Sequence, residues 1–400
     1  MTPAAAAPCD LLRMCRERRA RLAAAMARHD LPALLLLGRA NVQYASGAVW
    51  PASDAGHAHQ QPTFALVSCD DELPHLFTPH PDALIPDLPA DHVHGPLHPE
   101  CGVGVRELVQ RVRDVLGGRL PGRIGLDEAT VAMHLALPLL LPGVELGDAQ
   151  PVLGSARRVK TRDEVACIRH AQAINDRAML DVQAALHPGV RPCDLSGLFL
   201  RRILELGASG NLVDPIWQPM PASRAAGPFT VNGEVAFPLP SEDRPLRAGE
   251  AVWVDTGISY QGYVSDFGRT WIVGDEPSPA QRALHDRWRQ VLARVLEHVR
   301  PGATGADLTR AAHLGEPRPP WLHHLYLAHG AGLDSAEMPL VGSDLGDAFD
   351  ASVVLEPGMV LVFEPVVWEE GAGGHRAEEG VLVTESGYER ITAHGYAPFA

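Results

Sequence analysis

The sequence predicts a two-domain α+β protein, with a smaller α/β domain over residues 1–154 and a larger domain over residues 155–400. Its 400 residues exceed what one ordinary hydrophobic core organises. Strand and helix patterns alternate through roughly the first 150 residues, which is typical of a small α/β domain. The C-terminal half instead contains two pairs of apolar segments joined through glycine-containing turns, which predict hairpins.

The elements of the first domain follow from the spacing of apolar residues. Helical periodicity indicates helices over Leu11–Arg28 and Val105–Leu116. Short apolar runs bounded by turn residues indicate strands. The predicted strands are Ala33–Gly38, Thr63–Ser68, His75–Thr78 and Arg123–Asp127.

A change in amino-acid composition marks the start of the second domain. The segment Ala156–Asp163 (ARRVKTRD) is polar and basic, and the boundary is placed near Gly154. A long amphipathic helix pattern follows over Glu164–Leu186. The sequence His187-Pro188-Gly189 ends that helix, because proline cannot continue a helix and glycine suits the position after its C-terminus.

Composition and charge limit the possible partners. Apolar residues make up 46% of the chain and charged residues 21%, as in ordinary globular proteins. The net charge of −15 argues against nucleic acid and against an anionic membrane surface as partners. The longest apolar stretch, Val131–Val144, is interrupted by His134, Pro138 and Pro142 and is too short to cross a bilayer.

Two further features predict a cytoplasmic location. The N-terminus enters an arginine-rich stretch without the apolar core of a signal peptide. No two cysteines form a CxxC pair, and scattered unpaired cysteines suit a reducing compartment. The six cysteines are Cys9, Cys15, Cys69, Cys101, Cys167 and Cys193.

The two predicted hairpins each carry two carboxylates in otherwise apolar segments. Their strands are Ala251–Ser259 with Gly262–Val273, and Met359–Trp368 with His375–Thr384. Their acidic residues are Asp255 and Asp266 in the first hairpin, and Glu364 and Glu378 in the second. An ionised carboxylate in an apolar layer is costly unless it is paired or bound to a metal, so four of them indicate a metal site.

Strand parity selects between neighbouring acids in the last segment. Because side chains alternate between the two faces of a strand, Arg376 and Glu378 share one face and Glu379 points to the other. We therefore assign Glu378 to the site and expect Arg376 beside it. There Arg376 either forms a salt bridge with Glu378 or Glu379, or binds an anionic part of the substrate.

One histidine completes the candidate site. His329 lies in the segment Ala328–Leu333 (AHGAGL), whose small residues allow backbone or substrate to approach closely. Four carboxylates and one imidazole favour divalent Mn, Co, Fe or Zn. Five ligands are too many for one zinc ion and suit two metals that share bridging carboxylates. A metal pair can activate water and polarise a scissile carbonyl.

The order Asp, Asp, His, Glu, Glu resembles the metal-binding signature of the pita-bread metallohydrolases. This family includes methionine aminopeptidase, prolidase, aminopeptidase P and the metal-free creatinase. Asp255 and Asp266 lie eleven residues apart, as in the family. RRVKTRDEVACIRHAQAIND and NVQYASG further resemble the two-domain prolidase branch. The segments that carry the ligands are VWVDTGISYQGYVSDFGRT, LAHGAGLDSAEMP, LEPGMVLVFEP and GGHRAEEGVLVTESG.

The resemblance implies a pita-bread C-terminal domain and a creatinase-type, ribonuclease H-like N-terminal domain. It implies that Asp266 and Glu378 bridge two divalent metal ions, that Asp255 completes one of them, and that His329 and Glu364 complete the other. Glu364 would also shuttle a proton from the attacking water. The first choice of metal is manganese, with cobalt, zinc and iron as alternatives. The same branch implies a homodimer in which the N-terminal domain overhangs the partner's site.

The chain departs from the peptidases in its histidines. The peptidases usually carry one seven residues after the ligand histidine, one four residues before it, and one ahead of the first aspartate. Here those positions hold Ala336, Leu325 and Pro238. The first of the three normally steadies the tetrahedral intermediate. His323 and His324, shortly before the ligand histidine, are candidates to replace part of this set.

Three functions are compatible with these residues. The first is a metallohydrolase resembling Xaa-Pro dipeptidase and aminopeptidase P, in which metal-activated water attacks an amide or peptide bond of a short peptide or small-molecule amide. The second is a hydrolase or lyase that cleaves a C–N or C–S bond of a small non-peptide substrate, because the peptidase histidines are absent. The third is a non-catalytic binding module, against which the retention of all five ligands argues.

Overall fold

The computed structural model describes residues 9–51, 60–80, 87–222, 239–322 and 325–399. The chain forms two compact units, Cys9–Arg157 and Arg158–Ala400. The boundary placed near Gly154 from the sequence lies within the last helix of the first unit. Buried apolar clusters lie within each unit, so each has its own hydrophobic core.

The first unit is a mixed sheet with helices. Its helices are α1 (Leu11–Arg28), α2 (Arg39–Ser46), α3 (Gly102–Val115), α4 (Val131–Leu140) and α5 (Gln150–Arg157). Its strands are β1 (Ala33–Leu36), β2 (Phe64–Ser68), β3 (His75–Phe77), β4 (Val93–His94), β5 (Arg123–Leu126) and β6 (Glu145–Asp148). Their order in the sheet is β4-β3-β2-β1-β5-β6. Strand β1 pairs antiparallel with β2 and parallel with β5.

The structure confirms the helices and strands predicted for this unit, with ends that differ by up to three residues. The stretch at Val131 begins helix α4, whose Thr130 cap accepts a hydrogen bond from Met133 N. Within the described residues, no helix has both the length and the apolar character that crossing a bilayer requires. All six cysteines lie in described segments as free thiols.

The second unit contains five helices and three sheets in its described residues. Its helices are α6 (Arg162–Ala184), α7 (Pro192–Glu205), α8 (Pro279–Leu296), α9 (Gly305–His313) and α10 (Asp347–Ser352). The first sheet contains β7 (Gly210–Pro219), β8 (Ala251–Tyr260), β9 (Tyr263–Val264) and β10 (Phe267–Ile272). The second contains β11 (Ala328–Gly330), β12 (Glu337–Val341), β13 (Val360–Phe363), β16 (Glu379–Val383) and β17 (Tyr388–Arg390). The third is the pair β14 (Val366–Glu369) and β15 (Gly373–Arg376).

Both predicted hairpins are present, but three of their four strands are broken. Strand β8 is continuous and pairs antiparallel with β10. The predicted strand Gly262–Val273 divides into β9 and β10, Met359–Trp368 into β13 and β14, and His375–Thr384 into β15 and β16. The expectation of regular strands is therefore wrong at these points. The breaks fall at Asp266, Glu364 and Glu378.

The strands break because three backbone N–H groups form hydrogen bonds outside the strand ladder. Each acidic residue donates its N–H to an acceptor outside its own hairpin, so the strand ladder cannot continue through it. Pro365 adds to the second break, because proline has no N–H to contribute. The three bonds are Asp266 N to Gln172 Oε1 (3.2 Å), Glu364 N to Leu327 O (3.0 Å) and Glu378 N to Gly268 O (2.9 Å).

Helix α6 supports the first hairpin with a buried polar face. The helix begins at a capping box between Thr161 and Glu164. One turn beyond Gln172, fully buried Asn175 donates from Nδ2 to Thr256 O (2.9 Å) and to Ser265 Oγ (3.0 Å). Asn175 therefore fixes the neighbours of Asp255 and Asp266 in the chain.

We expect Asn175→Ala to destabilise the second unit. The substitution leaves the buried carbonyl of Thr256 and the hydroxyl of Ser265 without their amide donor, which costs about 1–3 kcal/mol. Urea unfolding followed by tryptophan fluorescence measures this, since six of the seven tryptophans lie beyond Arg157. The control is Arg177→Ala, an exposed position on the same helix, which should change the free energy of unfolding by less than about 0.5 kcal/mol. Equal effects of the two substitutions would show that the hydrogen bonds of Asn175 do not stabilise the second unit.

Candidate metal centre

Two of the five predicted ligands lie in strands of the second unit, and the other three lie at strand breaks. Asp255 is in the middle of β8, directly opposite Gly268 of β10. His329 is in β11, paired with β13. Asp266, Glu364 and Glu378 occupy the strand breaks described above.

Three of the carboxylates form one group of potential ligand atoms. One oxygen each of Asp255, Asp266 and Glu378 lies within 4.8 Å of the other two. The glycine opposite Asp255 makes this possible, because a Cβ atom on Gly268 would lie 2.4 Å from Cδ of Glu378. The sequence therefore needs a residue without a side chain at position 268 to bring the two hairpins together.

The histidine lies near two of the carboxylates. His329 Nε2 lies 3.3 Å from Asp266 Oδ2 and 3.6 Å from Glu364 Oε1. His329 Nδ1 donates a hydrogen bond to Gly330 O at 3.0 Å. Because a carbonyl can only accept, Nδ1 carries a proton and Nε2 is the nitrogen that faces the carboxylates. Asp266 therefore neighbours both the acidic group and the histidine.

Arg376 supplies positive charge to these carboxylates. Its guanidinium forms an ion pair with Glu364 Oε2 and lies 3.5 Å from Glu378 Oε1. The guanidinium also lies over the ring of Trp253, 4.0 Å from its centroid. Arg376 thus sits beside Glu378, as strand parity predicted. Of the two salt bridges considered, the one with Glu379 is wrong, because Glu379 pairs with Arg269 at 3.1 Å.

Burial and crowding of like charges shift the acids toward their protonated forms. Burial, and next the charge of Asp266, raise the pKa of Asp255 to about 7. Burial and the charges of Asp255 and Asp266 raise the pKa of Glu378 well above its ordinary value. Asp255 Oδ1 and Glu378 Oε2 are buried oxygens without a hydrogen-bond donor among the described residues. Such oxygens fit a cation, and the donor set of oxygens with one imidazole fits a hard or borderline divalent metal.

Arg269 holds the segment that carries Glu378, and sequence reasoning missed it. Arg269 is fully buried in β10. Its guanidinium donates hydrogen bonds to the carbonyls of Gly268, Glu378 and His394. These bonds fix the backbone on either side of the closest approach between the hairpins. The available signal was an arginine inside an otherwise apolar strand.

Tyr326 was also missed, and it contacts the site through His329. Their ring centroids lie 4.8 Å apart. Burial, and after it the charge of Asp266, raise the pKa of Tyr326 to about 12, so its hydroxyl keeps its proton. The signal was slight, because the tyrosine stands three residues before His329, next to the position where the peptidases have a histidine.

The structure describes only part of the region where the peptidase histidines would stand. Leu325 and Ala336 are among the described residues, whereas Pro238, His323 and His324 lie outside them. The proposed roles of His323 and His324 therefore rest on the sequence alone. Glu337, next to Ala336, forms an ion pair with the buried Lys160 (Oε1–Nζ 2.7 Å).

Comparison with known proteins places the chain in a family. Residues 166–385 match Metallopeptidase family M24, and residues 18–159 match the Creatinase/Prolidase N-terminal domain. An uncharacterized peptidase of Bacillus subtilis (strain 168) is 26% identical over 290 residues, which cover 71% of this chain and 77% of the relative. The Xaa-Pro dipeptidase of Pyrococcus furiosus is 29% identical over 250 residues, which cover 60% of this chain and 65% of the relative. The aligned part thus spans less than two thirds of that dipeptidase.

Solved structures agree on the fold. The prolidase from Pyrococcus horikoshii OT3 superposes with a TM-score of 0.73 at 21% identity, covering 95% of this chain and 99% of that one. This likeness confirms the α+β pita-bread fold with a creatinase-type N-terminal domain. Because the M24 match spans more than half of the 400 residues, the chain belongs to Metallopeptidase family M24 and is a metallohydrolase.

Proposed function

We propose that this metallohydrolase uses two divalent metal ions to cleave short peptides, with Xaa-Pro dipeptides as the first substrates to test. The proposed ligands are Asp255, Asp266, His329, Glu364 and Glu378. Manganese is the first choice of metal, with cobalt, zinc and iron as alternatives. The proposal includes the homodimer implied by the family resemblance, which light scattering would test. It also includes the cytoplasmic location predicted from the sequence, which cell fractionation would test.

The observation that carries the proposal is the shared position of Asp266. One carboxylate oxygen of Asp266 lies within 4.8 Å of oxygens of Asp255 and Glu378, and Asp266 Oδ2 lies 3.3 Å from His329 Nε2. A carboxylate that neighbours both the other acids and the histidine is the arrangement that a bridging ligand requires. A single metal ion would leave some of these ligands without a role.

The charge of the site supports two cations. Four carboxylates, Asp255, Asp266, Glu364 and Glu378, converge where Arg376 provides one positive charge. Like charges in a buried site repel strongly, as the raised pKa values of Asp255 and Glu378 indicate. Two divalent ions would more than offset the remaining negative charge and would favour the ionised form of every ligand.

The residues around the proposed metals have separable tasks. Two divalent ions bound there would acidify an attacking water and polarise the scissile carbonyl. Glu364 would take the proton from that water at Oε1 and pass it to the leaving amine. Arg376 holds the other oxygen, Oε2, and so fixes the orientation of Glu364. Arg376 therefore acts as a positioning residue.

Tyr326 would stabilise the negative charge that develops on the carbonyl oxygen. Its ring packs against His329, and the half-buried residue keeps its hydroxyl protonated. A neutral phenol is a hydrogen-bond donor of the kind that stabilises an oxyanion. We propose that it takes over the donor role that the peptidases give to a histidine, since Ala336 has no donor to offer.

Two considerations favour peptides over the non-peptide substrates. The Bacillus subtilis and Pyrococcus furiosus relatives carry peptidase names. Metal-activated water and a proton shuttle suit hydrolysis of an amide, whereas a lyase needs a base beside a carbon acid. The absent histidines alone do not select another substrate, because Tyr326 provides a donor beside His329.

The experiment that tests the function is a substrate panel with the manganese-loaded full chain. The panel contains Xaa-Pro dipeptides, dipeptides without proline, Xaa-Pro tripeptides and N-acylated small amides. We expect hydrolysis of short peptides, and we expect Glu364→Gln to lower kcat by about 100–10,000-fold. Glu385→Gln, at an exposed turn position, is the matched control and should keep full activity.

Two outcomes would contradict this function. One is the absence of peptide hydrolysis in protein shown by elemental analysis to hold two metal ions per chain. The other is full activity of Glu364→Gln. Turnover of an acylated amide without any peptide turnover would favour the non-peptide alternative.

Tyr326→Phe tests the proposed oxyanion donor. Loss of one such donor typically lowers kcat by about 100–1000-fold. We expect that loss with little change in KM and with unchanged metal content, because the ring packing against His329 is kept. Tyr388→Phe, on an exposed edge strand, is the control and should leave kcat unchanged. A purely structural role of Tyr326 would instead change stability or metal content and leave kcat intact.

A further inference from the structure

A second cluster of potential metal ligands lies in the first unit, apart from the residues assigned to catalysis. It consists of Asp71 in the turn after β2, His75 at the start of β3, and His92 just before β4. One ligand atom of each residue lies within 4.8 Å of those of the other two. The parallel pairing of β3 with β4, Leu76 opposite Val93, brings His75 and His92 side by side.

The hydrogen bonds of the two histidines leave nitrogen atoms directed at Asp71. His92 Nδ1 donates to Pro74 O at 3.4 Å, and its Nε2 lies 4.0 Å from Asp71 Oδ2. His75 Nε2 lies 3.3 Å from the same oxygen, and its Nδ1 shares a hydrogen bond with His94 Nε2 at 2.9 Å. A ring nitrogen directed at a carboxylate shares either a proton or a metal ion with it.

A third imidazole lies beside the pair. The ring centroid of His75 lies 4.1 Å from that of His92 and 5.2 Å from that of His94, and the planes of His75 and His92 are inclined by 12°. Because nearly parallel rings cannot both point at one ion, metal binding requires one of these two rings to rotate about its Cβ–Cγ bond. Neutral imidazole is the form that binds metals, and one divalent ion serves several rings where several protons would repel one another.

The spacing of the three atoms suits a tetrahedral ion. Bonds of about 2.0–2.1 Å from zinc to nitrogen or oxygen place neighbouring ligand atoms about 3.3 Å apart. The separation of His75 Nε2 from Asp71 Oδ2 has that value already, at 3.3 Å. His92 Nε2 is 4.0 Å from the oxygen, so its ring must shift to reach the tetrahedral separation. Two imidazoles and one carboxylate are the donor set of a borderline cation, with one position left for water.

We propose that Asp71, His75 and His92 form a binding site for one divalent zinc-like cation. His94 would act in the outer shell by holding His75 through its Nδ1. The cation would join the turn after β2 to the short edge strand β4, whose two residues pair with β3 alone. This site would therefore stabilise the edge of the sheet, and it does not depend on the proposed peptidase activity.

Zinc binding to the full, tag-free chain tests the proposal. Equilibrium dialysis followed by elemental analysis compares wild type with His92→Ala, Asp71→Asn and the control His134→Ala, an exposed histidine on α4. We expect the two cluster variants to bind one zinc equivalent fewer than wild type, and the control to match wild type. Because the readout is a difference, it does not depend on how many metals the catalytic centre holds.

His94, which holds His75 from the outer shell, provides a further test. We expect the His94→Ala variant still to bind this zinc ion, but with an affinity about 10–100-fold weaker. Circular dichroism confirms folding of each variant, and Asp71 is exposed enough for Asp71→Asn to leave the fold intact. Equal zinc stoichiometry in wild type, His92→Ala and Asp71→Asn would overturn the proposal.

Discussion

Negative charge is concentrated around Asp266 in the second unit, and many of the surrounding interactions hold these acids together. Asp255, Asp266 and Glu378 bring carboxylate oxygens within 4.8 Å of one another, and His329 adds a nitrogen 3.3 Å from Asp266. Without cations these groups repel, and burial makes the repulsion stronger. A fold that keeps these acids together needs other interactions that offset the repulsion. Such an arrangement is explained if the cluster of acids is itself the functional site.

The supporting interactions lie in the backbone. At Asp266, Glu364 and Glu378 the strands break, because the N–H group of each residue donates outside its hairpin. Helix α6 and Arg269 supply buried acceptors and donors that replace the lost ladder bonds. In a regular strand, side chains alternate between the two faces of the sheet. The breaks change the direction of the backbone and allow acidic side chains from neighbouring segments to point at one site. The site therefore requires the irregular strands.

Sequence reasoning reached the residue types of the site but not its geometry. Acids in apolar segments are visible in a sequence, and so are the two hairpins. The breaks were missed, because the acceptor for Asp266 N lies on a helix far away in the chain. Arg269 and Tyr326 were missed for the same reason, since only the folded chain shows what they contact. The Asp71 cluster likewise depends on strand register, which composition does not reveal.

We propose that two metal ions share one carboxylate, that of Asp266. This can be tested with a crystal structure of manganese-loaded protein, with diffraction data collected for anomalous scattering. We expect two manganese peaks, one among Asp255, Asp266 and Glu378, and one among Asp266, His329 and Glu364. We also expect Asp266→Asn to lose both peaks. A single peak in fully loaded protein, or two peaks that do not share Asp266, would show that Asp266 is not a bridging ligand.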